Sequence, residues 1–312
     1  MFTAEQKNWI CDRYLLAATS KKEIIYNFVI DKKRGRYFMY SPKEVSKNLV
    51  GIGRIKGNTS IDRLFLLGIM SGIFIACAAV GFNTASCMIE NPGVAKLVGA
   101  MIFPVGLVMT LVAGSELFTG NTLMVVALYE GETTILKLLK NWIVVYAGNF
   151  LGSILVALLI VNSGQLNLFS GALALSTIKV AAAKSSLVFG KAFLLGIGCN
   201  FLVCIAVWIN FAATDVAGKV IGLYMPIMLF VLAGFEHCVA NMYFIPAGLI
   251  ALTNPDYAAA SVDVKNIANL TWSNFFMNNL IPVTLGNIVG GSIMVGTMYW
   301  LIYLRGEKKA EQ

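Results

Sequence analysis

The chain has 312 residues, 58% of them hydrophobic and only 13% charged, and its mean hydropathy is +0.75; a soluble globular domain carries about 25% charged residues. That composition excludes a water-soluble globular protein and makes lipid the solvent. The net charge of +8 does not mark a nucleic-acid binder, because 13 of the 24 Lys and Arg precede Leu64, which is the pattern of a membrane-topology signal.

In chain order, residues 1–40 are a basic extension without recognisable chemistry, read as a solvated or membrane-surface segment. Met1 to Tyr14 lacks the apolar core and small-residue cleavage site of a signal peptide. Residues 41–63 form a surface helix and linker: Ser41, Pro42 and Glu44 supply an N-cap, a first-turn proline and a capping-box acid, predicting a short helix over 42–53 along the inner membrane surface. A single membrane domain, 64–304, follows, with a tail at 305–312. Its apolar segments run at 64–85, 97–129, 142–161, 192–214, 220–252 and 280–304.

One crossing needs roughly 20 apolar residues, which the second and fifth segments far exceed. Each carries a glutamate, a glycine and an asparagine near its middle. Non-helical backbone at membrane depth is tolerated only where protein or a water-filled cavity surrounds it, so both segments are expected to be broken helices beside a pore. Basic residues concentrate on the side that holds both termini, with Lys137, Lys140 and Lys219, whereas Lys96, Lys179, Lys184, Lys191 and Lys265 lie opposite. Both termini are therefore expected in the cytoplasm of an inner-membrane protein.

The chain also repeats itself. Leu66-Leu67-Gly68-Ile69 in the first segment matches Leu194-Leu195-Gly196-Ile197 in the fourth. Gly114-Ser115-Glu116 through Gly120-Asn121 matches Gly234-Phe235-Glu236 through Ala240-Asn241, both reading G-x-E-x-x-x-[GA]-N. Asn141 and Gly148-Asn149 in the third segment match Asn279 and Gly286-Asn287 in the sixth. Three collinear matches make two copies of a three-span unit, and because three is odd the second copy is inverted. Inverted repeats place a solute path at the midplane between discontinuous helices.

His237 is the sole histidine and sits in the broken fifth segment. An ionisable side chain at membrane depth is costly and marks a functional site by default; an imidazole there can hydrogen-bond or exchange a proton with an anion. Glu116 and Glu236 hold equivalent places, and they are expected to face away from the pore axis and accept from backbone N–H groups freed by the breaks. Asn121, Asn149, Asn200, Asn241 and Asn287 would pair with the remaining polar groups. Leu117, Phe118 and Thr119 read as a greasy constriction with one hydroxyl, and Lys184 as a loop cation that draws anions to the mouth.

The six cysteines (Cys11, Cys77, Cys87, Cys199, Cys204 and Cys238) show no C-x-x-C spacing and read as packing residues, so neither a disulfide framework nor a metal site is expected. No P-loop, H-E-x-x-H or G-x-S-x-G motif is present, so no enzyme and no catalytic residue is expected. Two other readings stay open on these residues alone, a pore for small neutral solutes and a non-conducting structural membrane protein.

The segment Gly114 to Thr122, Lys140-Asn141-Trp142, Gly234 to Met242 with Ile245-Pro246, and Ile281-Pro282 to Asn287 together resemble the formate/nitrite transporter family, over about residues 41–305. The resemblance implies an all-α membrane protein of six transmembrane helices in two inverted three-helix repeats, aquaporin-like, with broken second and fifth helices. It implies a homopentamer in the lipid bilayer, each protomer an anion channel for small monovalent anions such as formate, nitrite or hydrosulfide, without a cofactor.

It also assigns roles. His237 corresponds to the family's central histidine, Leu117, Phe118 and Thr119 to its gating loop, and Glu236 to the acid beside the histidine. Asn200, Asn241 and Asn287 fall around the site, Lys184 in the vestibule, and Val203 and Phe230 on the apolar walls. A position that formate channels fill with phenylalanine aligns with Ala79, which implies a wider passage and favours hydrosulfide over formate and nitrite. The first 40 residues have no counterpart in the family, and Met39 would serve as a native start.

Overall fold

The computed structural model describes residues 39–306 and, as backbone alone, two short strands, β1 (Ile30–Asp31) and β2 (Arg36–Tyr37), paired as an antiparallel hairpin. The rest of the basic extension and the end of the tail lie outside the described residues. Helix α1 (Pro42–Asn58) begins as its sequence requires: the Glu44 amide donates to Ser41 Oγ at 3.3 Å while Glu44 Oε2 accepts from the Ser41 amide at 2.7 Å. It runs a turn further than the predicted 42–53.

The first crossing is α2 (Ile61–Ser86), and the second is broken as expected, into α3 (Pro92–Ile102), α4 (Val105–Val112), α5 (Phe118–Asn121) and, after a 3₁₀ turn, α6 (Val125–Tyr129). Helix α7 (Ile135–Asn162) is the third crossing. Between it and the fourth, α9 (Phe189–Ala212), stands α8 (Ala172–Ser185), where the sequence suggests only a basic loop. Its 14 residues and two lysines make it too short and too charged for a span. The fifth crossing is α10 (Val216–Leu232) with α11 (Cys238–Ala251). After α12 (Pro255–Ala260) the sixth runs from Trp272 to Tyr303, eight residues earlier than its apolar signal, with π-helical turns at Phe275–Leu280 and Val289–Thr297.

Five helices among the described residues are long and apolar enough to cross a membrane, and the remaining crossing, the fifth in chain order, is assembled from the shorter α10 and α11. Gly114 (φ 83°) and Gly234 (φ 76°) end the first halves of the two broken crossings in a left-handed conformation that costs glycine least. The inverted repeat is thus structural, and it is larger than three spans. Each copy opens with a short helix, α1 or α8, ahead of its first crossing.

Glycines bring the crossings of each copy together. A Cβ on Gly148 would stand 2.6 Å from the Phe65 carbonyl oxygen, and one on Gly286 would stand 2.1 Å from that of Phe193. Backbones this close let α2 lie against α7, and α9 against the sixth crossing, without side chains between them.

Candidate functional site

The two breaks are held by the same side chains in both copies. Asn149 Oδ1 accepts the Phe118 amide at 3.0 Å while its Nδ2 donates to the Gly68 and Glu116 carbonyls at 2.8 and 2.9 Å. Asn287 does the same for the Cys238 amide (2.9 Å) and the Gly196 and Glu236 carbonyls (2.8 and 3.0 Å). One amide side chain therefore satisfies two backbone groups that the break would otherwise leave bare in hydrocarbon and ties them to a carbonyl of the first crossing of its copy.

The glutamates act differently from expectation. Lys56 Nζ lies 2.8 Å from Glu116 Oε2 and 2.6 Å from Asn121 Oδ1; Lys184 Nζ lies 2.8 and 3.0 Å from the two oxygens of Glu236. Asn121 and Asn241 each donate to their own glutamate, at 2.6 and 2.7 Å, and to Asn141 and Asn279, at 2.8 and 2.7 Å. The carboxylates thus pair with lysines and asparagine amides, and the freed amides go to asparagines. The reason is electrostatic: a carboxylate this buried needs a cation more than it needs a neutral donor. Glu236 also lines a cavity rather than facing away from it.

Lys184 is accordingly no free loop cation but half of a buried pair, placed there by α8. Lys56 was not singled out in the sequence, although a signal was present: each lysine precedes its first-crossing glycine, Gly68 or Gly196, by twelve residues.

At the centre the copies differ. His237 is 3% exposed and caps α11, its Nδ1 accepting the Ala240 amide at 3.1 Å. An Nδ1 that accepts is unprotonated, so the ring proton of the neutral imidazole sits on Nε2. Nε2 is 2.9 Å from Thr119 Oγ1 on the other broken crossing, which leaves the threonine hydroxyl proton for a further acceptor. Asn200 Nδ2 steadies the Thr119 loop through the Thr119 carbonyl (3.2 Å) and Thr122 Oγ1 (3.0 Å), and ties it to the Asn287 carbonyl (2.6 Å).

Two cavities approach this contact. The larger, about 330 Å³, is lined by His237, Glu236, Asn241, Lys184, Lys96 and the rings of Phe103 and Phe230, among others. The smaller, about 30 Å³, is lined by Lys56, Asn121, Leu117, Leu107, Val207 and Phe211, among others.

Of the apolar candidates, Leu117 and Phe230 therefore face cavities. Phe118 turns its ring edge-on to Trp142 and Tyr146 of α7 (6.0 and 4.9 Å), and Val203 is buried among the helices; neither lines either of these two cavities. Ala79 is fully buried and lines neither. The aromatic wall is made instead by Phe103, 5.8 Å edge-on from Phe230, a residue the sequence reading passed over. Ala79 thus supplies no wall to either of these two cavities.

Broken crossings, inverted copies and a buried polar contact between two cavities define a multi-pass helical membrane transporter with an aquaporin-like fold. The chain matches the formate/nitrite transporter family over residues 43–301 and belongs to it. It is 41% identical to the formate channel FocA of Haemophilus influenzae over 261 residues, covering 82% of this chain and 92% of that one. It is 38% identical to the probable formate transporter of Methanothermobacter thermautotrophicus over 283 residues, covering 85% and 97%. Among solved structures it resembles a pentameric formate channel with formate bound (TM-score 0.70, 38% identity, 78% of this chain and 98% of that one). A second structure, described as an FNT family ion channel, has the same TM-score at 26% identity, with 84% and 98% covered. Family membership makes this chain a transporter of small monovalent anions of the formate/nitrite type and not an enzyme.

Proposed function

We propose that the chain conducts formate, with nitrite and hydrosulfide as competing substrates, by passing the anion between the two cavities across the Thr119–His237 contact. That contact, 2.9 Å between groups on the two broken crossings, carries the reading. A bare anion entering apolar surroundings loses its hydration. The His237 Nε2–H and the Thr119 hydroxyl offer replacement donors, and a ring that has first taken a proton from the aqueous side can give it to the carboxylate, returning to the neutral imidazole while a nearly neutral species crosses the Leu117 and Phe230 walls. The names of the relatives favour formate, and the Phe103–Phe230 pair supports a narrow aromatic wall over the wider passage that favours hydrosulfide.

Assembly as a homopentamer, by similarity to the solved formate channel, and cytoplasmic placement of both termini, by the distribution of basic residues, belong to the same reading. Flux of formate, nitrite and hydrosulfide through purified protein in liposomes tests it, with glycerol and urea alongside. Formate flux that loses its pH dependence in His237→Asn supports the reading. Flux of glycerol or urea without anions, or an unchanged pH profile in the variant, overturns it.

A further inference from the structure

The larger cavity holds one charge more than its ion pair needs. Of the titratable groups that line it, Lys184 and Glu236 neutralise one another at 2.8 Å. Lys96 is left over: among the described residues no carboxylate lies within ion-pair distance of it. The smaller cavity has no such surplus, since its lining lysine, Lys56, is paired with Glu116.

Lys96 is also built into the wall. It stands on α3 with Gly99 and Phe103 on the same face, at spacings of three and seven residues. Its Nζ sits 5.7 Å from the centroid of the Phe82 ring. That ring fills the space Gly99 leaves open, for a Cβ there would stand 2.5 Å from it. Phe82 in turn meets Phe244 edge-on at 5.7 Å, and Phe244 carries Lys184 Nζ at 5.4 Å from its centroid. Two ammonium groups are thus propped on one pair of edge-to-face rings that line the cavity. A cation above an aromatic face is held without being neutralised, which is what an anion-receiving group requires.

Resting on the anion-pathway reading above, we propose that Lys96 is a receiving site for small monovalent anions at the mouth of the larger cavity. It supplies the uncompensated positive charge there, while Lys184 chiefly holds Glu236. Charge that steers a solute acts on entry, is screened by salt and works only from its own side.

The test is formate flux in liposomes with the protein oriented one way, comparing wild type with Lys96→Met, which keeps an unbranched stem, and Lys96→Arg, which keeps the charge. At low ionic strength and subsaturating formate, Lys96→Met should enter about fivefold more slowly from the larger-cavity side. Saturating flux should be unchanged, the deficit should vanish at high salt, and Lys96→Arg should restore entry. If wild type conducts and Lys96→Met matches it at every salt concentration, or is slowed equally from both sides and at high salt, the inference is overturned. Absence of anion flux in wild type would instead sink the pathway reading itself.

Discussion

The segments 114–121 and 234–241 are built alike and differ where it counts. In each, a left-handed glycine ends a helix, an asparagine from a neighbouring crossing caps the break, and a glutamate takes a lysine from a short preceding helix. Yet Leu117 in one copy is His237 in the other, and Thr119 is matched by Val239. The duplicated parts solve the problem that lipid poses for any broken helix, unsatisfied backbone and buried charge. The unmatched pair, one from each copy, is what meets at 2.9 Å. Equivalent substitutions in the two copies should therefore have similar structural effects and unequal functional ones.

The largest effect is expected from uncoupling the ion pairs. Glu236→Gln leaves Lys184 buried without its counter-charge and should cost about 3 kcal/mol in reversible unfolding from mixed micelles. Glu116→Gln should cost somewhat less, because the Lys56 and Glu116 side chains are 23% and 13% exposed against 19% and 9% for the other pair. A loss below about 1 kcal/mol in both would break the claim that these pairs hold the breaks together.

Next come the close approaches. Gly286→Ala and Gly148→Ala each drive a methyl toward a backbone carbonyl and should destabilise by about 2 kcal/mol, measured in the same way. Smaller still in stability, Thr119→Val removes the partner of His237 Nε2 and makes the first copy resemble the second, where Val239 already stands. It should cost about 1 kcal/mol and reduce formate flux far more than either glycine variant at equal folded protein; flux equal to wild type would show that the hydroxyl is not a donor to the anion.

The smallest effect concerns α1. The Ser41 amide and hydroxyl hold the Glu44 carboxyl below its ordinary value of 4.5. A depressed carboxyl stabilises the cap fully above that ordinary value and loses the contribution as pH falls through the lower, folded one. Proteolytic nicking of α1 should rise only below about pH 4.5 in wild type, and the step should be absent in Glu44→Gln.

Much of this was legible before any coordinates. The capping box at Ser41, the six crossings, the two breaks and the inverted copies all follow from local patterns of apolar and small residues. The lysines were harder. Lys56 and Lys184 pair with acids 60 and 52 residues away, and nothing local distinguishes them from solvated surface lysines. Lys96 falls just before the apolar run that starts at Leu97, whereas α3 begins at Pro92 with its Asn91 cap. Ala79 is buried and lines neither cavity, because counting along a chain gives a position on a helix without saying which neighbouring helix covers it.

Sequence alone determined that this chain lives in lipid, that its halves are inverted copies and that His237 is the exception within them, because hydrophobicity and repetition are properties of neighbouring residues. Only the tertiary structure decided which side chains neutralise the buried acids, which rings wall the cavity and where the surplus charge stands. Those are matters of distance between groups far apart in the chain, and the helix packing that sets such distances is not encoded in any one segment.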